Sequence, residues 1–439
     1  MTKDRFNSVL RKYVKDQLSP TPRERELVSQ LYGAVCAVLG ESNCIQIGSY
    51  PRFTANTPLH DLDVLYTLGT WTGLIPNPGH ALAELKRRIE KSFDNPTAFT
   101  HRVSAQTHSI TITFLRGNDE VFSVDIVPAY KFNRNEFGDD MYMVPEILTR
   151  GHLRRRQFYE ELTRAHRPMN WIASDPRGYI EVAKRINAKN ADFRKSVKFA
   201  KAWKSACKRL NERFKLKSFH IEQVITQYFL ANAGLEIFDA IFKFFCELPE
   251  VLQRACIPDR ADAKVNIDEY INQLTKAEKA SIIEARDFFL EKLEDFSESS
   301  SVGGLLEPGF HKRASGEEAY LFDFGIPMLT EDHPLTIRAR VLPRDGGFRE
   351  RILDTLGLIE VDRKIQFRVA GNPPPADLFK WKVKNDDASI QPRGEITDHS
   401  TANDPEYTKF KGNHYVECYA IRNGICIAKA RQNVKLAAR

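Results

Sequence analysis

The chain has 439 residues, which at about 150 per domain predicts two or three domains with enough surface to bury for real cores. Hydrophobic residues at 42% and charged residues at 28% are globular values, and they exclude a wholly disordered, collagen-like or disulfide-dense chain. A net charge of +7, from 65 Lys and Arg against 58 Asp and Glu, is too mild to establish nucleic-acid binding, but it suits phosphate-bearing ligands.

Met1 to Leu10 is polar and charged from Lys3 onward, and no stretch approaches the roughly 18 uncharged apolar residues of a membrane span, so neither secretion nor insertion is expected. Helical patterns open the chain near Lys3–Leu18 and Arg23–Leu39, and short strands alternate with turns to about Phe132, a mixed α/β first third. From Asp175 to Phe296 long amphipathic stretches take over. In Ala191–Leu210, Phe193, Val197, Ala200, Cys207 and Leu210 recur at helical spacing, which predicts a helical bundle. Ser297–Gly304, read as S-E-S-S-S-V-G-G, predicts a flexible boundary without core side chains.

Beyond that boundary, residues 305–340 carry no clear pattern, and then period-two alternation dominates. Ile365, Phe367 and Val369 mark one strand; Phe379, Trp381 and Val383, with Lys at 380, 382 and 384, mark the next. Asn423-Gly424 joins His414–Ile421 to Ile425–Val434 as a hairpin, because Asn-Gly tolerates positive φ. Pro373-Pro374-Pro375 is a short rigid turn, and there is no internal repeat. The expected fold is α+β: an α/β core over 1–165, a helical bundle over 166–300 completing a cleft, and a small, mostly-β sandwich over 305–439. The seven cysteines are odd in number and never paired as C-x-x-C, so they read as reduced, packing thiols of a cytoplasmic protein.

The most informative segment runs from Gly48-Ser49 to Asp61-Leu62-Asp63-Val64-Leu65-Tyr66, a turn leading into a strand. Alternation along that strand puts Asp61 and Asp63 on one face while Leu62, Val64, Tyr66 and Leu68 enter a core. Two adjacent carboxylates repel unless a cation lies between them, and oxygen-only ligands favour Mg²⁺ or Mn²⁺. A third acid, Asp125, stands opposite Phe122, Val124 and Ile126 on another strand; if the two strands are neighbours, three carboxylates converge. Such a trio can hold two ions about 3.5–4 Å apart, the arrangement used to activate an attacking hydroxyl and stabilise a leaving pyrophosphate. A D-x-D alone equally suits a solvated edge strand. The upstream Gly48 and Ser49 tip the balance, glycine by letting backbone N–H groups approach a triphosphate and serine by adding a donor. No P-loop, kinase glycine loop or H-E-x-x-H occurs to offer rival phosphate or zinc chemistry.

With its G-S, D-x-D and later strand Asp, the chain resembles the DNA-polymerase-β-type nucleotidyltransferases. More narrowly, Ile47-Gly48-Ser49-Tyr50-Pro51-Arg52-Phe53-Thr54-Ala55-Asn56 before Asp61-Leu62-Asp63 resembles the cGAS/DncV-like nucleotidyltransferases, bacterial makers of oligonucleotide second messengers. Trp171-Ile172 with Asp175-Pro176 leading into a helix is also similar to that family. The resemblance implies that Asp61 and Asp63 bind both metal ions, that Asp125 binds the ion activating the acceptor 3′-hydroxyl, and that Gly48 and Ser49 hold the donor triphosphate.

In the middle of the chain, Arg194, Lys198, Lys201 and Lys208 form a basic stripe that by itself equally suits a solvated face. Phe199-Ala200-Lys201-Ala202-Trp203 resembles the family's phosphate-contacting helix and points to Lys201. Ser218-Phe219-His220-Ile221-Glu222 is similar to its Ser-aromatic-His segment, implying a phosphate contact from Ser218 and base stacking on Phe219, where the usual tyrosine hydroxyl is lost. His220 reads as a helix residue bonded to backbone, without a catalytic role, and Arg150–Arg156 as a solvated basic cluster.

Trp381-Lys382-Val383-Lys384-Asn385, Arg393-Gly394-Glu395 and Gly412–Tyr419 with Asn423-Gly424 resemble the adenylyl/guanylyl-cyclase and SMODS C-terminal sensor domain, AGS-C. That likeness implies an unknown ligand, or alternatively an assembly role, with Trp381 and Tyr415 read as core. Together the resemblances imply an enzyme that condenses nucleoside triphosphates into a short oligonucleotide, expected to be cyclic, with two Mg²⁺ or Mn²⁺ ions. They also imply a setting in bacterial antiphage signalling and an effector protein reached through the product. Two rival readings remain: the same fold with an RNA end, protein or small molecule as acceptor, and a catalytically silent nucleotide sensor.

Overall fold

The computed structural model describes residues 2–73, 77–106, 108–147, 169–329, 334–343, 351–353, 357–398 and 405–437. The Arg150–Arg156 cluster lies outside the described residues.

Thr2 caps α1 (Lys3–Tyr13), whose apolar side, Phe6 and Leu10, continues through a π-helical turn at Val14–Leu18. That side packs among the helices of the middle segment rather than on the strands that follow, with Phe6 stacked on Phe296 at 4.7 Å. α2 (Pro22–Leu39) starts from a capping box in which Thr21 and Glu24 satisfy each other's backbone donors, with Pro22 in the first turn. Glu24 does more than cap. It also accepts from the Thr57 hydroxyl at 2.8 Å and from the Leu59 N–H at 2.7 Å, tying the helix start to the loop that enters the acidic strand.

That strand belongs to a seven-stranded mixed sheet. Its members are β1 (Cys44–Ile47), β2 (Asp61–Thr70), β3 (Thr100–Ala105), β4 (Ile110–Arg116), β5 (Asp119–Arg134), β6 (Asp140–Ile147) and β7 (Met169–Ser174). The order is β1-β2-β5-β4-β3, with β6 continuing along β5 and β7 pairing β6. Only β2 and β5 run parallel. α2 and α3 (Pro78–Ser92) cover one face, where Leu62, Val64, Tyr66, Phe122, Val124 and Ile126 join Val28, Leu31, Leu85 and Ile89 in one core. The alternation expected from the sequence therefore holds, and the three acids are left on the other face.

The middle segment is a helical body of α4 (Pro176–Lys189), α5 (Asp192–Leu210), α6 (Ser218–Ala231), α7 (Ile237–Val251), α8 (Lys276–Glu294) and the short α9 (Val302–Leu306). Its centre is aromatic: Phe245 stacks on Phe289 at 4.0 Å, and Trp203 meets Phe245 edge-on at 4.7 Å. Phe193, Val197, Ala200 and Cys207 bury as their spacing predicts, whereas Leu210, the last residue of α5, is 61% exposed. The Ser297–Gly304 boundary is also less empty than its composition suggests. Ser301 caps α9, and Val302 buries with Leu305 and Leu306 in the helical core.

The C-terminal body is a β-sandwich. A sheet of order β10-β16-β15-β12-β13 faces one of order β14-β11-β8-β9. The strands are β8 (Thr336–Val341), β9 (Arg351–Ile352), β10 (Ile359–Glu360), β11 (Lys364–Ala370), β12 (Leu378–Lys384), β13 (Ile396–Thr397), β14 (Glu406–Tyr407), β15 (Gly412–Arg422) and β16 (Ile425–Ala437). Ile337, Val341, Ile365, Phe367, Val416 and Val434 fill the space between the sheets, with Trp381 packed against them. The hairpin at Asn423-Gly424 forms, both residues taking positive φ of 51° and 73°. The other face of β12 is not solvated: Lys382 and Lys384 are 2% and 5% exposed.

The chain is α+β, as expected. All seven cysteines are free, five of them buried. Among the described residues no helix is long and apolar enough to cross a membrane.

Candidate active site

The parallel pairing of β2 with β5 sets Asp63 directly opposite Asp125, with Asp61 two residues earlier, opposite Ser123. Neighbouring strands lie about 4.8 Å apart, so the backbone brings all three acids to one patch. The carboxyl groups do not yet close on a common point. Among the described residues no three His, Cys, Asp or Glu side chains are gathered to hold an ion as they stand. Asp125 is engaged sideways: Thr111, its cross-strand neighbour on β4, donates a short hydrogen bond to Oδ1, and Gln106 Nε2 lies 3.4 Å from the same oxygen.

Gly48 has φ +76°, and a Cβ built there would sit 1.8 Å from Asp63 Oδ2. The glycine at the exit of β1 is thus required because the Asp63 carboxyl lies against its Cα. Burial first, then the charges of Asp61 and Asp125, push Asp63 up to about 7 against the pull of Arg52 and Lys201. An all-oxygen donor set in which one carboxyl is held up by its neighbours fits a hard divalent cation, which would remove that repulsion.

Of the three acids, Asp61 borders a cleft of about 720 Å³ between the sheet and the helical body. Ser49, Asp61, Lys201 and Ser218 all line it, so four residues singled out in three separate segments meet in one place. Phe219 stands behind: its half-buried ring meets Tyr179 edge-on at 5.0 Å and carries the Arg52 guanidinium at 5.3 Å.

Lys201 is buried, and its ammonium is 2.5 Å from Glu222 Oε2 and 3.2 Å from Thr54 Oγ1. Arg52 Nε is 2.5 Å from the other Glu222 oxygen, and the Thr54 hydroxyl donates to Oε2 at 2.9 Å. Burial raises Glu222, but Arg52 and Lys201 outweigh it and hold the carboxyl down to about 2. This knot fastens the Gly48–Thr54 turn to α5 and α6. Lys201 is therefore committed to Glu222, and the ammonium that faces the cleft beside Ser218 is that of Lys204, 3.0 Å from the serine hydroxyl. Burial, with Lys208 and Lys201 nearby, lowers Lys204 to about 8.

Arg52, Thr54, Glu222 and Lys204 were assigned no role from sequence. Lys204 follows Lys201 by three residues on the basic face. Glu222 is an acid in the all-round buried stretch His220–Thr226, a placement that demands a buried cation. The rest of the stripe divides: Lys198 is 9% exposed and donates to Ser19, and Arg194 covers the Phe53 ring at 4.6 Å, whereas Lys208 is exposed, as on a solvated face. His220 bonds the Tyr270 hydroxyl through Nδ1 at 3.0 Å, a side chain where backbone was expected.

Residues 317–437 match the family model of the Adenylyl/Guanylyl and SMODS C-terminal sensor domain, so the β-sandwich carries the likeness read from its sequence. Among solved structures, CdnC of E. coli MS115-1 with ATP is 18% identical, covering 67% of this chain and 93% of that one, with a TM-score of 0.47. The CdnC:HORMA-deltaN complex from the same source is 18% identical over 67% and 92%, with a TM-score of 0.46. A cytoplasmic RNA terminal U-transferase is 10% identical over 69% and 98%, with a TM-score of 0.40. At scores below 0.5 these likenesses add nothing to the geometry above, and no curated protein matches the chain.

Proposed function

We propose that this protein is a metal-dependent nucleotidyltransferase that joins nucleoside triphosphates into a short, cyclic oligonucleotide and releases pyrophosphate. The observation that carries this reading is the register of β2 against β5, which puts Asp63 opposite Asp125 and two residues from Asp61, the acid that lines a cleft with Ser49, Lys204 and Ser218.

Asp61, Asp63 and Asp125 would hold two Mg²⁺ or Mn²⁺ ions, whose chemistry at such a site is to acidify an attacking hydroxyl and neutralise a leaving pyrophosphate. The chain's own residues do the rest. Ser49 and Ser218 offer hydroxyl donors to phosphate oxygens, and Lys204 offers an ammonium whose lowered value is restored by an anion beside it. Arg52 and Lys201 hold the Gly48–Thr54 turn in place through Glu222, a positioning role. The antiphage setting and an effector that reads the product belong to the same proposal, as does ligand sensing by the sandwich.

The test is incubation with labelled ATP, GTP, CTP and UTP, alone and mixed, with Mg²⁺. Phosphatase-resistant product whose mass is a whole number of nucleotidyl residues, each a nucleoside monophosphate less one water, supports self-condensation. Product formed only when an RNA, protein or small molecule is added moves the reaction to another acceptor. Absence of pyrophosphate under all conditions identifies a silent nucleotide binder and overturns the proposal.

A further inference from the structure

A second cavity, of about 480 Å³, separates the end of α8 from the outer face of the β12–β15–β16 sheet. It lies between the helical body and the sandwich, away from the three acids. The segment after α9 closes it with His311, Glu318 and Tyr320.

Lys382 and Lys384 of β12 turn away from the sandwich core into this space. Lys384 is taken by Asp387 and by Glu318 at 3.6 Å, and Lys429 by Glu417 at 3.1 Å. Arg431 lies over the Tyr415 ring at 3.6 Å, so Tyr415, expected in a core, stands on the cavity wall. Lys382 is different. Its side chain is 2% exposed, yet among the described residues its ammonium makes no hydrogen bond; it has Glu318 at 3.9 Å and the face of Tyr320 at 4.0 Å. An ammonium on the cavity wall with only a distant carboxylate and a ring face keeps N–H donors open to an acceptor in the cavity.

The opposite wall shows the complementary deficit. Glu291 Oε1 and Glu294 Oε1 are buried and, among the described residues, lack a hydrogen-bond donor, while the other Glu291 oxygen is 3.2 Å from His311. Burial pushes Glu294 up to about 7, more than Lys429 and Lys382 pull it down. One wall wants an acceptor and the other a donor.

We propose that this cavity binds a small zwitterion, a free amino acid or an unblocked dipeptide, with its carboxylate on Lys382 and its ammonium on Glu291 and Glu294. The volume lies within the roughly 300–1,000 Å³ of small-molecule sites. Charged ends are favoured over neutral hydroxyls because hydrogen bonds between charged partners are about twice as strong. The assignment stands whether or not the distant cleft is catalytic.

Calorimetric titration of the full chain with free amino acids and with unblocked dipeptides tests it, each beside its N-acetylated and C-amidated form. Saturable binding by a member of either set below ~1 mM, weakened at least about tenfold by capping either end, is the expected result, and the set that binds identifies the ligand class. Lys382→Met and Glu294→Gln, each checked for an unchanged circular dichroism spectrum, should each abolish that binding. No binding across both sets, equal binding of capped forms, or unchanged binding by Glu294→Gln would overturn the proposal.

Discussion

Two charged clusters share the walls of one cleft and are built in opposite ways. Around Glu222 every charge has a partner: Arg52 and Lys201 take one carboxylate oxygen each, and Thr54 adds a hydroxyl. Around Asp63 the neighbours are other acids, and the fold presses them together through strand register and a glycine. Paired charge of this kind fastens elements to one another. Like charge held together with too little counter-charge nearby to offset burial and repulsion points to a cation from outside.

This contrast can be broken by substitution. The largest expected effect is in Asp61→Asn with Asp63→Asn, which should lower pyrophosphate release at least ~10³-fold while the melting temperature holds or rises, because a repulsion is removed. A melting temperature that falls with activity would make the acids structural. Glu222→Ala should do the reverse. It leaves two buried cations without their acid, and urea unfolding should show a loss of about 3–5 kcal/mol. Unchanged stability there would mean that the knot does not fasten the turn.

A smaller effect separates the clusters from the bland buried histidine nearby. His220 is held at about 4, below the usual 6.5, chiefly by burial. The unfolded chain takes up a proton between those values and the folded chain does not, so stability should fall as pH drops from about 6.5 to 4. His220→Gln should flatten that slope by on the order of 1–2 kcal/mol, read from unfolding at both pH values, and leave activity at neutral pH unchanged. Smallest of all, Lys204→Met should raise KM for triphosphate about tenfold with little change in stability. If Lys201→Met instead gave the purely kinetic defect and Lys204→Met none, the roles assigned to the two lysines would be exchanged.

Much of this was legible in the residues themselves. Period-two alternation placed Leu62, Val64, Phe122 and Val124 in the core and so put the acids on the other face, and Asn423-Gly424 announced its hairpin. The pairing of β2 with β5 was not legible, since strand neighbours such as Asp63 and Asp125, 62 positions apart, leave no local trace. The same limit hid Arg52 and Glu222, whose contact spans 170 positions. Composition misled at Val302, an apolar residue in a serine-glycine run whose burial depends on a helical body folded elsewhere. The lysines of β12 misled for a related reason: alternation tells which face a side chain takes, but not that a second body covers that face.

The glycine at position 48 has a further consequence for how such sites are found. Its contribution is an absence of atoms, so it forms no bond and fills no volume, and a survey of contacts passes over it. A saturation scan would expose it at once, as a position where a single letter survives selection for turnover.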